Sequence, residues 1–436
     1  MNRYLWSEAL NLRQSNPDNI AEVRTKQLRR HLAHAATTPY FRDLFAKREI
    51  VPERVETKDL ANLPLLDREM IEAEPARFIP EPAPAIADIA MTSGTTGSPL
   101  VVPYTAGDLE RLAFNEEMAF RGAGISAADR ALLTITLDRC FIAGLAYYSG
   151  LIRIGAAVIR NGPGQPDRQW ELIKRFRPIL LVGVPSFLMV LAEKGRAMGI
   201  DPATSGVKKL VTIGEPLRRA DHSLTHLGSD LKDAWGTEIF SSYGSTEMET
   251  AACECPAGTG AHIHPELLLV EIVDESGKIV PDGEPGEVVI TPMGVEGLPL
   301  VRFRTGDVAR LHRGRCECGW HTERLGAIEG RLAQRLKVKG TTIYPEMIFQ
   351  ALQEVKEVGP VYIEVGNAYD LADEITVVAG CNSPDISEKA LSDLLRARLR
   401  LRPDVRIRPI KEVSAVMSAD GGRKPKKFFD FRKQEI

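Results

Sequence analysis

Hydrophobic spacing changes character twice along the chain. In the first stretch, about residues 21–45, Val23, Leu28, Leu32 and Ala35 recur at helical spacing among many Arg and Lys, which predicts an amphipathic helix followed by Thr38-Pro39-Tyr40-Phe41. Residues 59–78 predict short helices around Leu63-Pro64-Leu65-Leu66, and Pro80-Glu81-Pro82-Ala83-Pro84 is a connector. After a helix predicted over 106–120, short apolar runs at 131–135, 157–159, 179–184 and 209–213 alternate with amphipathic stretches at 168–176 and 186–198. Strands alternating with helices predict a mostly parallel α/β sheet, with ligands at the carboxyl ends of its strands.

The second change comes near residue 255. Strand-like runs at 267–273, 286–291, 300–303 and 308–311 are separated by turns such as Asp274-Glu275-Ser276-Gly277 and Pro281-Asp282-Gly283, which predicts an antiparallel β subdomain over about 255–325. From Leu332 onward, strands at 336–338, 360–365, 375–379 and 405–409 with helices at 346–354 and 387–399 suffice for a small separate α+β domain. The expectation is an α/β protein with a large N-terminal domain, 1–331, and a small C-terminal domain, 332–436.

Composition narrows the classes. With 44% hydrophobic and 26% charged residues the 436-residue chain reads as soluble and globular, and a formal net charge of -3 gives no global attraction to nucleic acid or anionic membrane. No apolar run approaches the roughly 20 residues of a membrane span, and Met1-Asn2-Arg3-Tyr4-Leu5-Trp6 lacks the apolar core of a signal peptide, so the expected setting is cytoplasmic.

The chemistry starts at Thr92-Ser93-Gly94-Thr95-Thr96-Gly97, a hydroxyl-and-glycine loop between apolar runs. Its hydroxyls can bond phosphate oxygens, and Gly94 and Gly97 let backbone N–H groups face an anion. It lacks the Lys-Ser/Thr of a Walker A loop, because Ser98-Pro99 follows Gly97. Further stretches address the same ligand: Glu215-Pro216 after a predicted strand, Tyr243-Gly244-Ser245-Thr246-Glu247, Arg304-Thr305-Gly306-Asp307, Gly330-Arg331, and the basic Gly421-Gly422-Arg423-Lys424-Pro425-Lys426-Lys427.

Four of the six cysteines form the pairs Cys253/Cys255 and Cys316/Cys318. Cys255, His262, Cys316 and Cys318 supply three thiolates and an imidazole for a closed, tetrahedral structural Zn²⁺ that would hold the β subdomain together. Cys253 and His264 are alternative ligands, and His321 is a spare. Cys140 and Cys381 read as isolated core cysteines.

In their order these motifs resemble the adenylate-forming superfamily of acyl-CoA synthetases, synthetase adenylation domains and luciferase, above all its phenylacetate-CoA ligase branch, over about residues 28–430. The resemblance implies an ATP-dependent, AMP-forming carboxylic acid–CoA ligase, acting through an acyl adenylate on a small acid, with an aryl acid such as phenylacetate expected. It also leaves room for an adenylyltransferase of the coenzyme F390 synthetase type, for a catalytically weakened nucleotide-binding homologue, and for a homodimer.

On this reading Thr92, Ser93, Gly94, Thr95, Thr96 and Gly97 hold the β- and γ-phosphates, Glu215 and Pro216 flank the adenine, and Tyr243, with Gly244 and Ser245, offers it a face. Thr246 reaches the α-phosphate and Glu247 supplies an oxygen ligand to Mg²⁺. Asp307 and Arg331 hold the ribose, and Lys424, Lys426 or Lys427, with Lys424 the first choice by its distance from Asp430, serves adenylation from a mobile C-terminal domain. Lys339 and Gly340 face the CoA channel in the opposite domain orientation. For the acid pocket the stretch from Arg139 to Tyr148 is the candidate, with Phe141 and Gly144 singled out. Three departures stand out: Ser98 and Leu100 occupy the positions where the family carries a loop lysine, Ala333 followed by Gln334 stands at the hinge, and Pro425 follows Lys424.

Overall fold

The computed structural model describes residues 4–92, 99–338, 341–369, 372–399, 401–419 and 425–432. They divide into two compact units, Met1–Thr305 with Ala309–Ala327 and Gly306–Val308 with Ile328–Ile436.

The first unit is built on a nine-stranded sheet. Ala157–Arg160, Arg130–Leu133, Leu180–Gly183, Lys209–Ile213 and Glu238–Ser245 follow one another in parallel register. Thr250–Glu254, Ala261–His262, Arg324–Leu325 and Leu311–His312 continue the sheet in antiparallel register. The parallel strands read as unbroken apolar runs because both faces are covered. Ala131 and Leu133 point into one core with Tyr147, Leu151 and Phe240, while Leu132 points into the other with Trp170, Leu188 and Trp235. In that second core Trp170 and Trp235 stack at 5.7 Å, from the helices Pro166–Phe176 and His226–Trp235.

The second unit has its own core. Val358–Tyr369 pairs antiparallel with Ala372–Cys381, with Phe428–Asp430 and Asp404–Arg408 added in parallel on either side. Pro345–Leu352 and Glu388–Leu399 cover one face through Ile348, Leu352, Leu391 and Leu395. Ile410–Met417 covers the other with Val413 and Met417.

Local chemistry explains where the pattern misleads. The amphipathic helix expected ahead of Thr38 is Pro17–Ala35, and the chain from Pro39 forms a second helix, Pro39–Lys47. Thr38 caps the second by accepting from Phe41 N, and Pro39 starts it, so the chain must break between them. The strand expected at 300–303 does not form; it begins at Phe303 and runs to Ala309, so the Arg304–Asp307 motif lies within it. Leu300 and Val301 are apolar because they are buried, and Arg302 breaks the extension with φ 51°. Its guanidinium is buried on Glu271 at 2.9 Å and on the carbonyls of Ala61 and Leu63. Cys140 is no core residue: it is exposed, in a turn where Arg139 and Cys140 both take positive φ. Cys381 is buried as expected.

Candidate active site

Tyr243, Gly244 and Ser245 end the last parallel strand, where an open α/β sheet presents ligands. The strand must run close to its antiparallel neighbour here, since a Cβ on Gly244 would lie 2.8 Å from Thr250 O. The chain then turns: Met248 N donates to Ser245 Oγ, and Tyr104 Oη donates to Thr246 O at 3.2 Å. Glu247 leaves this turn with its carboxylate largely buried. Glu249 follows with φ 49° and both carboxylate oxygens buried without a hydrogen-bond partner among the described residues. Burial pushes its carboxyl pKa well above the usual carboxylate range.

Glu215 follows the neighbouring parallel strand, Lys209–Ile213, after Gly214. Its carboxylate accepts from Ser186 N at 2.9 Å and Ser186 Oγ at 3.0 Å, at the start of the helix Pro185–Ala197. The segment before Pro216 is therefore anchored by a helix N-terminus, which favours an anion there.

Thr92 stands at the foot of the candidate phosphate loop. Ile86–Met91 and Val101–Thr105 form a hairpin, and beyond it Thr92 N donates to Leu100 O while Leu100 N donates to Thr92 Oγ1 at 2.9 Å. Ser93, Gly94, Thr95, Thr96 and Gly97 lie outside the described residues. Sequence reasoning passed over Arg68, the first residue of the helix Arg68–Ala73. Its Nη2 donates to Thr92 Oγ1 at 3.2 Å, its Nε donates to Glu72 Oε1 at 2.6 Å, and its Nη1 lies 4.0 Å from Glu247 Oε1. Its only signal in sequence is the Asp67 N-cap before a cationic residue.

The acid-pocket candidates sit beside this foot. Cys140 O accepts from Met91 N at 2.9 Å, and Phe141, half-buried, starts the helix Ile142–Ile154. Gly144 lets that helix close on the preceding loop, since a Cβ there would fall 1.9 Å from Thr136 O.

In the second unit Asp307 and Arg331 are paired by strand register, with Arg331 Nε 3.3 Å from Asp307 Oδ1. Asp307 is nearly buried, whereas the Arg331 side chain is half-exposed. Ala333 is exposed in the short turn Leu332–Gln334. Lys339, Gly340 and Lys424 lie outside the described residues. Lys426 and Lys427 are described: their ammonium groups stand 5.0 Å over the Phe429 ring and 5.9 Å over the Phe349 ring.

The cysteine pairs meet at the antiparallel end of the large sheet. Cys255 follows the strand Thr250–Glu254, His262 closes the next, and Cys316 and Cys318 lie in the loop before Arg324–Leu325, which pairs with His262's strand. The ligand atoms of these four residues lie within 4.8 Å of one another. Cys255 Sγ and Cys316 Sγ are 3.6 Å apart, and Cys318 Sγ and His262 Nε2 are 3.3 Å apart. Zn–S and Zn–N bonds of ordinary length separate tetrahedral ligands by about 3.5–3.8 Å, so the set fits that ion. His262 Nδ1 meets Thr322 Oγ1 at 2.7 Å, which fixes the ring.

The alternative ligands are engaged elsewhere: Cys253 lies in the core, and His264 Nδ1 meets Arg13 Nη2 at 2.7 Å. The cluster thus closes the edge of the main sheet and lies outside the strands Leu268–Val273 and Gly286–Pro292 of the expected β subdomain. Next to it, Glu254 accepts from Ser241 N at 3.0 Å and Arg218 Nε at 2.6 Å, tying the cysteine cluster's strand to the strand of Tyr243 and to the segment after Pro216.

A parallel sheet with an aromatic, a hydroxyl and a carboxylate gathered at one strand end, beside the foot of a candidate phosphate loop, is the arrangement expected of an adenylate-forming enzyme. The chain belongs to the AMP-binding enzyme family, which matches residues 20–296. Phenylacetate-coenzyme A ligase of Thermus thermophilus is 28% identical over 387 residues, 86% of this chain and 85% of its own length. The enzyme of the same name from Pseudomonas putida is 28% identical over 385 residues, with the same shares. A 2-hydroxyisobutyryl-CoA ligase solved in its postadenylation state matches with a TM-score of 0.84 at 18% identity, covering 100% of this chain and 95% of that one. At that identity it shows the fold alone.

Proposed function

We propose that the chain is an ATP-dependent, AMP-forming carboxylic acid–CoA ligase whose acid is an aryl acid of the phenylacetate type. The observation that carries this reading is the Tyr243–Glu247 turn at the carboxyl end of the sheet, in a chain 28% identical to phenylacetate-CoA ligases over 86% of its length.

In the first half-reaction the acid's carboxylate oxygen attacks the α-phosphorus of ATP and pyrophosphate leaves. In the second the CoA sulfur attacks the acyl carbon and AMP leaves. Two anions must meet in the first step, so the site has to neutralise charge and hold the reactants in line. Tyr243 packs on the adenine, Thr246 donates to the α-phosphate, and Glu247 holds Mg²⁺. Asp307 accepts from the ribose hydroxyls. Residues 332–436 move between half-reactions, bringing Lys424 to the first and Lys339-Gly340 to the second. A structural Zn²⁺ on Cys255, His262, Cys316 and Cys318 stiffens the sheet edge.

The test is an acid screen: carboxylate-dependent exchange of pyrophosphate into ATP, and carboxylate-dependent loss of free CoA thiol, both highest with aryl acids. Exchange without thiol consumption would make the protein an adenylyltransferase, and preference for short branched acids would overturn the aryl assignment. Asp307→Ala should weaken ATP and AMP alike by at least ~1.5 kcal/mol, about tenfold, because charged hydrogen bonds to two hydroxyls are lost. Titration calorimetry with each nucleotide checks this, and unchanged affinity would remove Asp307 from the ribose.

A further inference from the structure

The β- and γ-phosphates of ATP and the pyrophosphate that leaves are densely anionic, and a site that releases them needs a fixed cation besides Mg²⁺. No lysine follows the phosphate loop to supply it. Leu100, at one of the two positions available, is 5% exposed, and its backbone is tied to Thr92.

The structure places an arginine at the foot of the loop instead. Arg68 donates to the Thr92 hydroxyl and faces Glu247 Oε1 across 4.0 Å, with its side chain 23% exposed. Its position is firmly fixed. The helix Arg68–Ala73 is capped by Asp67, whose Oδ1 accepts from Met70 N at 3.0 Å, and Glu72 holds the guanidinium at 2.6 Å. Just ahead of the helix, Leu66 N donates to Arg302 O and Leu66 O accepts from Arg304 N. A guanidinium remains charged at every working pH, and its fork of donors matches phosphate oxygens. Arg68 and Glu247 also offer opposite charges side by side, the pairing that a magnesium–phosphate unit requires: carboxylate for the metal, guanidinium for the phosphate oxygens.

We propose that Arg68 binds the β- and γ-phosphates of ATP and then the leaving pyrophosphate, in the role of the missing loop lysine. This rests on the ATP site proposed above. It predicts a loss confined to ligands that carry those phosphates.

The experiment uses the full chain with Arg68→Gln and Arg68→Lys. In Arg68→Gln, Mg²⁺-ATP and pyrophosphate should bind about 10–100-fold more weakly and pyrophosphate exchange should fall about 100-fold, the scale of one preorganised charged donor. AMP affinity should stay within about twofold, the melting temperature should hold, and CoA should react with supplied acyl adenylate at the wild-type rate. Arg68→Lys should restore most of the exchange. Equal losses for AMP and ATP, or a lowered melting temperature in both variants, would make Arg68 a structural tie between its helix and Thr92 and overturn the proposal. So would unchanged pyrophosphate binding in a folded Arg68→Gln. Failure of the ATP site itself looks different: the wild-type chain would then bind neither AMP nor ATP.

Discussion

Lys424→Ala should abolish formation of the acyl adenylate and leave the reaction of supplied acyl adenylate with CoA nearly intact. The carboxylate and the α-phosphate are both anionic, and one ammonium placed between them in a water-poor site lowers the barrier by roughly 3–4 kcal/mol, about two to three orders of magnitude in rate. The proposed mechanism assigns thiol transfer to a different orientation of residues 332–436, so the same loss should not appear there. The neighbouring lysines are poorer candidates. Lys426 N donates to Met417 O at 2.7 Å and Lys427 O accepts from Ile363 N, so both backbones are fixed to their own unit. Their ammonium groups lie over Phe429 and Phe349. Single-turnover release of pyrophosphate, measured beside thioester formation from added adenylate, separates the two half-reactions. If both fell together, the substitution would be acting through folding. If only Lys426→Ala or Lys427→Ala removed adenylation, the catalytic lysine would lie past Pro425.

The alternation of strands and helices was legible because burial on both sheet faces leaves unbroken apolar runs such as Leu180–Gly183, bounded by turns. The motif residues of the strand end were legible because Tyr243, Thr246 and Glu247 are close in sequence. Arg68 was not, since what gives it meaning is Thr92 and Glu247, both distant in the chain and brought to it by packing. Apolar character also failed to separate strand from buried bend at 300–303, where the buried pairing of Arg302 with Glu271 overrides it. Two-residue strands such as Ala261–His262 and Leu311–His312 are too short to leave a period-two signature. They matter most for the cysteine cluster, because it is their pairing through Arg324–Leu325 that carries the two cysteine segments together.

That dependence sets the second large effect. The edge of the sheet from Cys255 to Leu325 is held by two-residue strands, which bury little and form few ladder bonds. Cys255, Cys316 and Cys318 lie in the turns beside these strands and His262 ends one of them, so a metal there would replace missing strand length with coordinate bonds. A hydrogen bond shared with Cys318, and then burial, push the Cys255 thiol up to about 11, while the same bond draws Cys318 down. The two sulfurs thus compete for a proton that a cation would displace.

Protein purified without added metal should contain one zinc per chain by elemental analysis. Cys316→Ser should lose it and cost at least ~3 kcal/mol of stability, a fraction of the ~10–16 kcal/mol by which structural zinc binds in small domains, because the rest of the sheet folds without it. Cys253→Ala and His264→Ala should retain the metal, since neither belongs to the tetrahedron. The loss should also reach the nucleotide: Glu254, beside Cys255, holds Ser241 N and Arg218, so a loosened edge weakens ATP binding through the strand that carries Tyr243. Zinc-free protein whose six thiols all titrate freely, with an unchanged melting temperature after Cys316→Ser, would reduce the cluster to cysteines brought together by strand pairing alone.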